Sequence, residues 1–279
     1  MSSFGQGAPS FDQGAPSFDQ GCAERSGRDA VNSDGATRYC PVCGQALEAP
    51  SRATGLTRSS GSRDRHVGDP PFSQGCLNRW CRRPDRGFSV VFSVGIHRDG
   101  LRRAITRYKY HRDERLAGVL ADSLAGYVDD HATWFEDFDL LASVPSYCGR
   151  GARRDWDPLG RIMAAIAERL GATWDVVPDL MSKSAETPAM AGLSWGARQA
   201  VARGPLRSAL GIPDPGLVDS AKVLVVDDVF TDGSTLREVA LALLASGASE
   251  VAGLVLARRA WTAAPSVPGL TFDPWTTGW

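Results

Sequence analysis

The sequence of 279 residues has no long hydrophobic run, almost no net charge and only three lysines. No apolar stretch approaches the ~18 to 20 residues that a membrane-spanning helix needs, so no membrane partner is expected. A net charge of −1 gives no basis for non-specific nucleic-acid or membrane binding by the whole chain. The N-terminus lacks the charged-then-apolar order of a signal peptide. We therefore expect a cytoplasmic protein, in which paired cysteines more often hold a metal than form disulfides.

The N-terminal part of the chain has low complexity. Residues 1–35 repeat SFGQGAPS, FDQGAPS and FDQG with a seven-residue period, and Gly and Pro within each repeat exclude a coiled coil. A disordered tail is expected there, with a partner-binding motif as the alternative. The predicted domains are this tail, a cysteine module with a long flexible insertion over 36–87, and a folded domain over 88–279.

Strands and helices alternate from Phe88 onward. The patterning predicts strands at FSVVFSVG, LLASVP, TWDVVPDL, VLVV and VAGLVLA, with helices between them. Such alternation predicts an α/β fold with a parallel sheet covered by helices on both faces. Ligands of these sheets bind beyond the carboxyl ends of the strands.

The stretch VLVVDDVFTDGST, Val223 to Thr235, places two acids at the end of a buried strand and a small-residue loop before a helix. The loop offers free backbone N–H groups and the positive end of a helix dipole, which together favour a phosphate. Asp227 and Asp228 could receive the hydroxyls of an attached sugar or the hydration shell of Mg²⁺. A solvated strand end is the alternative interpretation.

Two other interpretations of this stretch fail. A response-regulator receiver also begins VLVVDD, but it needs a later lysine, and none follows Lys222. The Walker-type GxxxxGK[ST] loop is absent. Inside the loop, a carboxylate at Asp232 would repel a phosphate, so we expect it to turn away and cap the helix that begins near Ser234.

Four of the six cysteines form two closely spaced pairs. CPVCG has the spacing of a zinc knuckle, and CLNRWC supplies two further thiolates. One structural Zn²⁺ is expected, against the alternative of unrelated buried thiols, with Cys22 or His66 as a substitute ligand. The predicted ligands are Cys40, Cys43, Cys76 and Cys81.

The segment LRRAITRYKYHRDER is strongly basic. With Tyr108 and Tyr110 interleaved, it could hold single-stranded nucleic acid by charge and stacking, or it could be a solvated helix face. Its basic residues are Arg102, Arg103, Arg107, Lys109, Arg112 and Arg115.

Val223 to Thr235 resembles the phosphoribosyl-pyrophosphate (PRPP) motif of type I phosphoribosyltransferases. The order of CPVCG, CLNRWC, GLRRAITRYKYHRDERLA and SVPSYCGRGARRDWDPLGRIMAAIAERL is similar to that of the ComF family of competence-associated proteins, over roughly residues 38–259. The resemblance implies a type I phosphoribosyltransferase fold with a small N-terminal zinc-binding module, and Mg²⁺ bound with PRPP. The implied PRPP-binding residues are Asp227, Asp228, Thr231, Asp232, Gly233, Ser234 and Thr235.

The same resemblance implies transfer of phosphoribosyl from PRPP to an unidentified acceptor, with release of pyrophosphate. The segment MAGLSWGAR, which ends at Arg198, resembles the family's flexible catalytic loop. The core Tyr108-Lys109-Tyr110 also matches the family, so the resemblance makes Lys109 a candidate to reach the pyrophosphate. The loop after Val144 corresponds to the pyrophosphate-binding region, where Cys148 is expected to be a small packed residue. The alternative is a non-catalytic PRPP-sensing or DNA-uptake and repair accessory protein, with single-stranded DNA or competence and repair proteins as partners.

Overall fold

The structure, a computed structural model, describes residues 39–45, 76 and 78–260. The expected tail over 1–35 and the fallback zinc ligands Cys22 and His66 lie outside those residues. Within the described part of the chain, no helix is both long enough and apolar enough to span a membrane.

Seven strands are present in the described residues. They are β1 (Val91–Ile96), β2 (Leu140–Ser143), β3 (Asp175–Val176), β4 (Ser182–Lys183), β5 (Leu210–Gly211), β6 (Lys222–Phe230) and β7 (Glu250–Arg258).

Helices connect the strands. They are α1 (Asp99–His111), α2 (Leu116–Asp130), α3 (Ala132–Phe135), α4 (Pro158–Leu170), α5 (Trp195–Val201), α6 (Arg207–Ala209) and α7 (Ser234–Ala245). A π-helical turn, Ala202–Leu206, joins α5 to α6, so residues 195–209 form one continuous helical segment.

Five strands form a parallel sheet in the order β1-β7-β6-β2-β3. In β6, every residue from Val223 to Val226 is buried. Successive side chains of a strand point to opposite faces, so both faces of the sheet are covered. The α/β fold class expected from the sequence, a parallel sheet flanked by helices with a small cysteine-bearing N-terminal part, is confirmed.

Two strands differ in length from the sequence prediction. Strand β3 contains only Asp175 and Val176, because it is an edge strand that pairs with β2 at two positions. Strand β6 continues past the expected end at Val226 to Phe230, since β7 pairs with it as far as Arg258. The acid pair therefore lies within the last part of a strand.

The cysteine-bearing residues pack directly on the sheet. The backbone N–H of Val91 in β1 donates to the carbonyl of Val42 at 2.7 Å, and Arg258 at the end of β7 donates to the side chain of Gln45 at 3.0 Å. All four cysteines of the two pairs belong to the same buried apolar cluster as the central strands. The sheet thus supports both the cysteine cluster and the acid pair.

Candidate functional site

The two acids at the carboxyl end of β6 are held by the backbone of their own strand. The N–H of Asp228 donates to Asp227 Oδ1 at 2.8 Å, and the N–H of Val229 donates to Asp228 Oδ1 at 2.7 Å. Asp228 is 9% exposed, whereas Asp227 is partly exposed. The strand thereby fixes both carboxylates and leaves one of them accessible.

Lys109 of α1 forms an ion pair with Asp228, through Nζ and Oδ2. Burial would raise the pKa of Asp228, but the charge of Lys109 outweighs it and holds this pKa below its usual value. Burial, and then the negative charge of Asp228, raise the pKa of Asp227 to about 8. The two acids therefore differ: Lys109 favours the charged form of Asp228, whereas burial and the charge of Asp228 favour the neutral form of Asp227.

The loop after β6 leads directly into the N-terminus of α7. Gly233 has φ of 88°, and a Cβ at this position would come within 2.9 Å of the Phe230 ring. Glycine is therefore needed for the left-handed turn that leads from the loop into the first turn of α7. The predicted phosphate loop lies where the sequence places it, next to the acid pair.

Asp232 in this loop is almost fully buried, at 2% exposure. Its Oδ1 accepts a hydrogen bond from the backbone N–H of Ser234 at 3.0 Å, so the carboxylate turns toward the first turn of α7 as expected, although the N-cap position of this helix is Gly233. Its other oxygen, Oδ2, has no hydrogen-bond partner among the described residues. The carboxylate therefore faces the helix start.

The helical segment 195–209 contacts the loop through two adjacent residues. Arg198 is 4% exposed and donates from Nη1 to Thr231 Oγ1 at 3.0 Å and from Nε to the Leu193 carbonyl at 3.0 Å. Gln199 donates from Nε2 to Ser234 Oγ. The structure thus brings the candidate catalytic residue Arg198 into contact with the loop that is predicted to bind phosphate. Gln199 was missed, because no spacing or motif in the sequence distinguishes it.

The basic helix α1 does not present the aromatic pair expected for base stacking. Tyr108 is buried: its hydroxyl donates to the Pro158 carbonyl at 2.7 Å, and its ring meets Trp156 edge-on with centroids 5.1 Å apart. Tyr110 alone of the pair is exposed, at 62%. The stacking hypothesis is wrong for Tyr108, since its ring forms part of the core. Several of the cations nearby form ion pairs, namely Arg107 and Arg115 with Asp113, and Arg112 with Glu114 and Asp155.

Cys148, in the loop after β2, is exposed. The expectation of a packed thiol is therefore wrong. The loop leaves the sheet after Val144, and the next buried side chain along the chain is that of Trp156. The residues between these two positions are therefore not held in the interior.

The two cysteine pairs meet in one cluster. Their four sulfur atoms lie within 4.8 Å of one another, and Cys43 Sγ is 3.7 Å from Cys76 Sγ. Tetrahedral zinc with Zn–S bonds of about 2.3 Å places its sulfurs about 3.8 Å apart. Hydrogen bonds from Cys43, and then from Cys76 and Cys81, lower the pKa of Cys40. Four buried thiols at this separation fit a structural zinc site.

The cysteine cluster is connected to the phosphate loop through α7. Trp80, next to Cys81, is 1% exposed and lies under the guanidinium of Arg237, 4.5 Å from the ring centroid. Arg237 Nη1 donates to Glu238 Oε1 at 2.7 Å, and its Nη2 donates to Asp85 at 3.1 Å. Arg237 and Glu238 both belong to the first turns of α7. The cysteine-bearing part therefore contacts the helix whose N-terminus forms the phosphate loop.

Two curated proteins resemble this chain over most of its length. The DNA utilization protein YhgH of Salmonella typhimurium is 28% identical over 214 residues, which cover 76% of this chain and 80% of the relative. The protein of the same name from Salmonella typhi matches at the same identity and coverage. No family profile matches the chain.

Solved structures give weaker likenesses. A phosphoribosylpyrophosphate synthetase from Mycobacterium smegmatis matches with 13% identity and a TM-score of 0.31, over 51% of this chain and 34% of that one. A hypoxanthine phosphoribosyltransferase from Staphylococcus aureus matches with 10% identity and a TM-score of 0.31, over 55% of this chain and 74% of that one. The hypoxanthine-guanine phosphoribosyltransferase of L. donovani matches with 12% identity and a TM-score of 0.30, over 51% and 71% of the two chains.

Proposed function

We propose that this protein binds PRPP and transfers its phosphoribosyl group to an acceptor, with release of pyrophosphate. The observation that carries the proposal is the meeting of two features at one strand end. Asp227 and Asp228 lie at the carboxyl end of β6, and residues 231–235 form a turn into the N-terminus of α7 immediately after them. Together they match a sugar bearing a phosphate, with the acids at its hydroxyls and the loop at its 5-phosphate.

The loop supplies the groups that a phosphate needs. Gly233 places its backbone N–H at the positive end of the α7 dipole, and Thr231 and Thr235 add hydroxyls. Arg198 contributes a positive charge next to Thr231. The carboxylate of Asp232 is turned into the helix start, so the backbone of the loop can meet an anion.

The acid pair fits Mg²⁺ bound together with its substrate. Magnesium in such sites takes one or two carboxylates and completes its coordination with water and substrate oxygens. Asp227, partly exposed and held at a pKa of about 8, is the accessible carboxylate, while Asp228 is shared with Lys109. When bound, the ion would neutralise negative charge on the substrate.

The transfer requires a bond to form at the anomeric carbon as the bond to pyrophosphate breaks. The nucleophile of the acceptor donates an electron pair to this carbon, the pyrophosphate leaves with the pair of the broken C–O bond, and the acceptor proton passes to solvent. The chain's contribution is to hold the ribose and to place positive charge where the leaving group develops negative charge. Lys109 and Arg198 are the candidates for that role. To contact the pyrophosphate, Lys109 would have to leave its ion pair with Asp228.

The cysteine cluster would hold a structural Zn²⁺. Cys40, Cys43, Cys76 and Cys81 supply a complete set of four thiolates, which leaves no open coordination position for chemistry. The role of the ion would be to join two distant parts of the chain beside the sheet.

The test combines binding with turnover. Calorimetric titration with PRPP and Mg²⁺ should show saturable binding, and the double variant Asp227→Asn with Asp228→Asn should lose it. Pyrophosphate release is then measured with a panel of nucleobases and other heterocyclic acceptors. Unchanged PRPP affinity in the double variant would refute the assignment of the site.

A second function is favoured by the curated relatives, which are described as DNA utilization proteins. Under this hypothesis the same pocket senses PRPP without catalysis, and the protein acts as a competence or repair accessory with single-stranded DNA or other proteins as partners. The exposed ring of Tyr110, with Arg154 over it at 5.1 Å, is the available stacking surface on α1. Tight PRPP binding without pyrophosphate release, together with retention of single-stranded DNA that Tyr110→Ala weakens, would support the accessory role.

A further inference from the structure

A chain of charged side chains links three separate parts of the molecule beside the first turns of α7. Glu238 accepts hydrogen bonds from two arginines: Arg237 Nη1 donates to Oε1 at 2.7 Å, and Arg207 Nε donates to Oε2 at 2.7 Å. Arg237 also donates from Nη2 to Asp85 Oδ2 at 3.1 Å and from Nε to the Asp85 carbonyl at 3.1 Å. The four residues Asp85, Arg237, Glu238 and Arg207 therefore alternate in sign, and we call them the charge network.

The centre of the charge network is shielded from water. The side chains of Arg237 and Glu238 are 7% and 1% exposed. Hydrogen bonds from Arg83, and then from Arg237, outweigh the effect of burial and lower the pKa of Asp85 to about 2. Burial of charged groups costs free energy that apolar side chains of similar size would not incur. What the network supplies in exchange is direction, because each charge-assisted hydrogen bond fixes the geometry of its two partners.

One end of the charge network, Asp85, lies in the cysteine-bearing part of the chain. Other residues of this part contact the helical segment described above. The guanidinium of Arg203 lies over the ring of Trp80, 5.7 Å from its centroid, and that of Arg79 lies over the ring of Trp195 at 4.8 Å. The cysteine-bearing part therefore packs against the helical segment as well as against α7.

The other end of the charge network, Arg207, lies in the helical segment 195–209. Gln199 of the same segment donates from Nε2 to the hydroxyl of Ser234 at the start of α7. The segment is therefore attached to α7 at two points, through Gln199 and Ser234 and through Arg207 and Glu238. Two attachments fix both the position and the direction of one helix relative to another, whereas a single attachment leaves it free to pivot.

We propose that the charge network positions the helical segment against α7, and that Arg207 and Glu238 are thereby positioning residues for anion binding at the loop after β6. Arg198 of this segment donates to Thr231 of the loop at 3.0 Å, so its positive charge stays at the loop only while the segment is held in place. The cysteine-bearing part takes part in the site through the same network. The role in anion binding rests on the proposed function, whereas the positioning of the segment does not.

Arg207 provides the experiment, because its side chain is 53% exposed and its replacement should leave the protein folded. Arg207→Gln removes the charge that pairs with Glu238, and Arg207→Lys is the conservative variant that keeps this charge. Arg169→Gln is the matched control, since it also breaks an ion pair, with Asp122. Helix α4 ends at Leu170 and leads to β3, so Arg169 lies near the amino ends of the parallel strands, away from the acid pair.

The first measurement is hydrogen exchange of the backbone amides over 195–209, followed by mass spectrometry without any ligand. Exchange reports how often a segment opens, so a segment that has lost one of its attachments should exchange faster. We expect Arg207→Gln to raise the exchange rate over these residues at least tenfold, Arg207→Lys to raise it less, and Arg169→Gln to leave it unchanged. An unchanged rate in Arg207→Gln would overturn the positioning role of the network.

The second measurement is a double-mutant cycle on the affinity for PRPP with Mg²⁺, determined by calorimetric titration. Arg207→Gln should weaken binding at least tenfold in the otherwise unmodified protein. In the Arg198→Met background the same change should weaken binding less than threefold, because no cation remains there to be positioned. Equal losses in both backgrounds would show a general loss of structure and would overturn the role of the network in anion binding.

Inorganic phosphate is the second probe, since it needs only the loop and not the acid pair. If the unmodified protein binds phosphate but not PRPP, the proposed function fails and the same cycle is measured with phosphate. If it binds neither anion, both the proposed function and the role of the network in anion binding are overturned. A protein that binds PRPP but shows equal losses in the cycle keeps the proposed function and loses this inference alone.

Discussion

Lys109 of α1 and Asp228 of β6 form an ion pair at the carboxyl end of the sheet, with side chains that are 23% and 12% exposed. The pair joins the basic helix to the acid motif, two segments whose chemistry the sequence suggests separately. Because Asp228 is buried, its charge depends on this lysine, and so does the charge state of the neighbouring Asp227. The charge states of Lys109, Asp227 and Asp228 therefore depend on one another.

Replacement of Lys109 by Met should destabilise the protein by about 3 kcal/mol at pH 8, because it leaves a buried carboxylate without its partner. The double variant Lys109→Met with Asp228→Asn should recover most of this loss, since it removes both charges. Urea denaturation of the two variants and the unmodified protein provides the measurement. If the double variant is as unstable as the single one, the pair does not control the charge of Asp228.

Replacement of Asp227 by Asn should alter the pH dependence of stability. The pKa of Asp227 is raised to about 8 in the folded protein, so this group is protonated there while its unfolded counterpart ionises near pH 4. Its contribution to stability is fully present below the unfolded pKa and is lost as the pH rises to about 8. The free energy of unfolding of the Asp227→Asn variant should therefore rise relative to that of the unmodified protein by at most ~1.4 kcal/mol for each pH unit up to pH 8. Above pH 8 the difference between the two proteins should stay constant. Denaturation curves at pH 5, 6.5, 8 and 9 would show this, and parallel stability profiles would contradict it.

Asp232 offers a matched pair of substitutions. Asp232→Asn keeps an oxygen for the Ser234 N–H and removes the charge, so it should change PRPP affinity by less than about tenfold, or under ~1.4 kcal/mol. Asp232→Ala removes the hydrogen bond to the Ser234 N–H and should cost about 1 kcal/mol of stability. Calorimetric titration and thermal unfolding measure the two effects. A hundredfold gain in PRPP affinity for Asp232→Asn would mean that the carboxylate faces the phosphate after all.

The cysteine cluster should bind about one zinc per chain, measured by elemental analysis of the purified protein. Cys40→Ser should lose the metal and unfold at a lower temperature, because zinc-binding free energy contributes to folding. Cys148→Ser, the same change at an exposed thiol, should keep both the zinc and the melting temperature. A metal-free protein with an unchanged melting temperature would contradict a structural role for the ion.

The sequence by itself predicts a parallel sheet covered on both faces and the location of the acid motif. The apolar run before Asp227 can only be buried in a strand covered on both faces, and helices between such strands require parallel pairing. The motif then falls at the carboxyl end of β6, and Gly233 marks the turn that starts α7. The spacing of the cysteine pairs likewise predicts a four-thiol cluster. Each of these features follows from neighbouring residues along the chain.

Only the tertiary structure decides which distant groups meet and which are buried. Nothing local to Tyr108 distinguishes it from Tyr110, yet α4 and the Trp156 loop cover the first and leave the second exposed. Cys148 is exposed because its loop leaves the core, and Gln199 reaches Ser234 because the helical segment 195–209 packs beside the phosphate loop. Burial, ion pairing and shifted pKa values depend on the dielectric and the charges supplied by residues far away in the chain. These contacts, which decide the chemistry of the site, exist only once the sheet has brought their elements together.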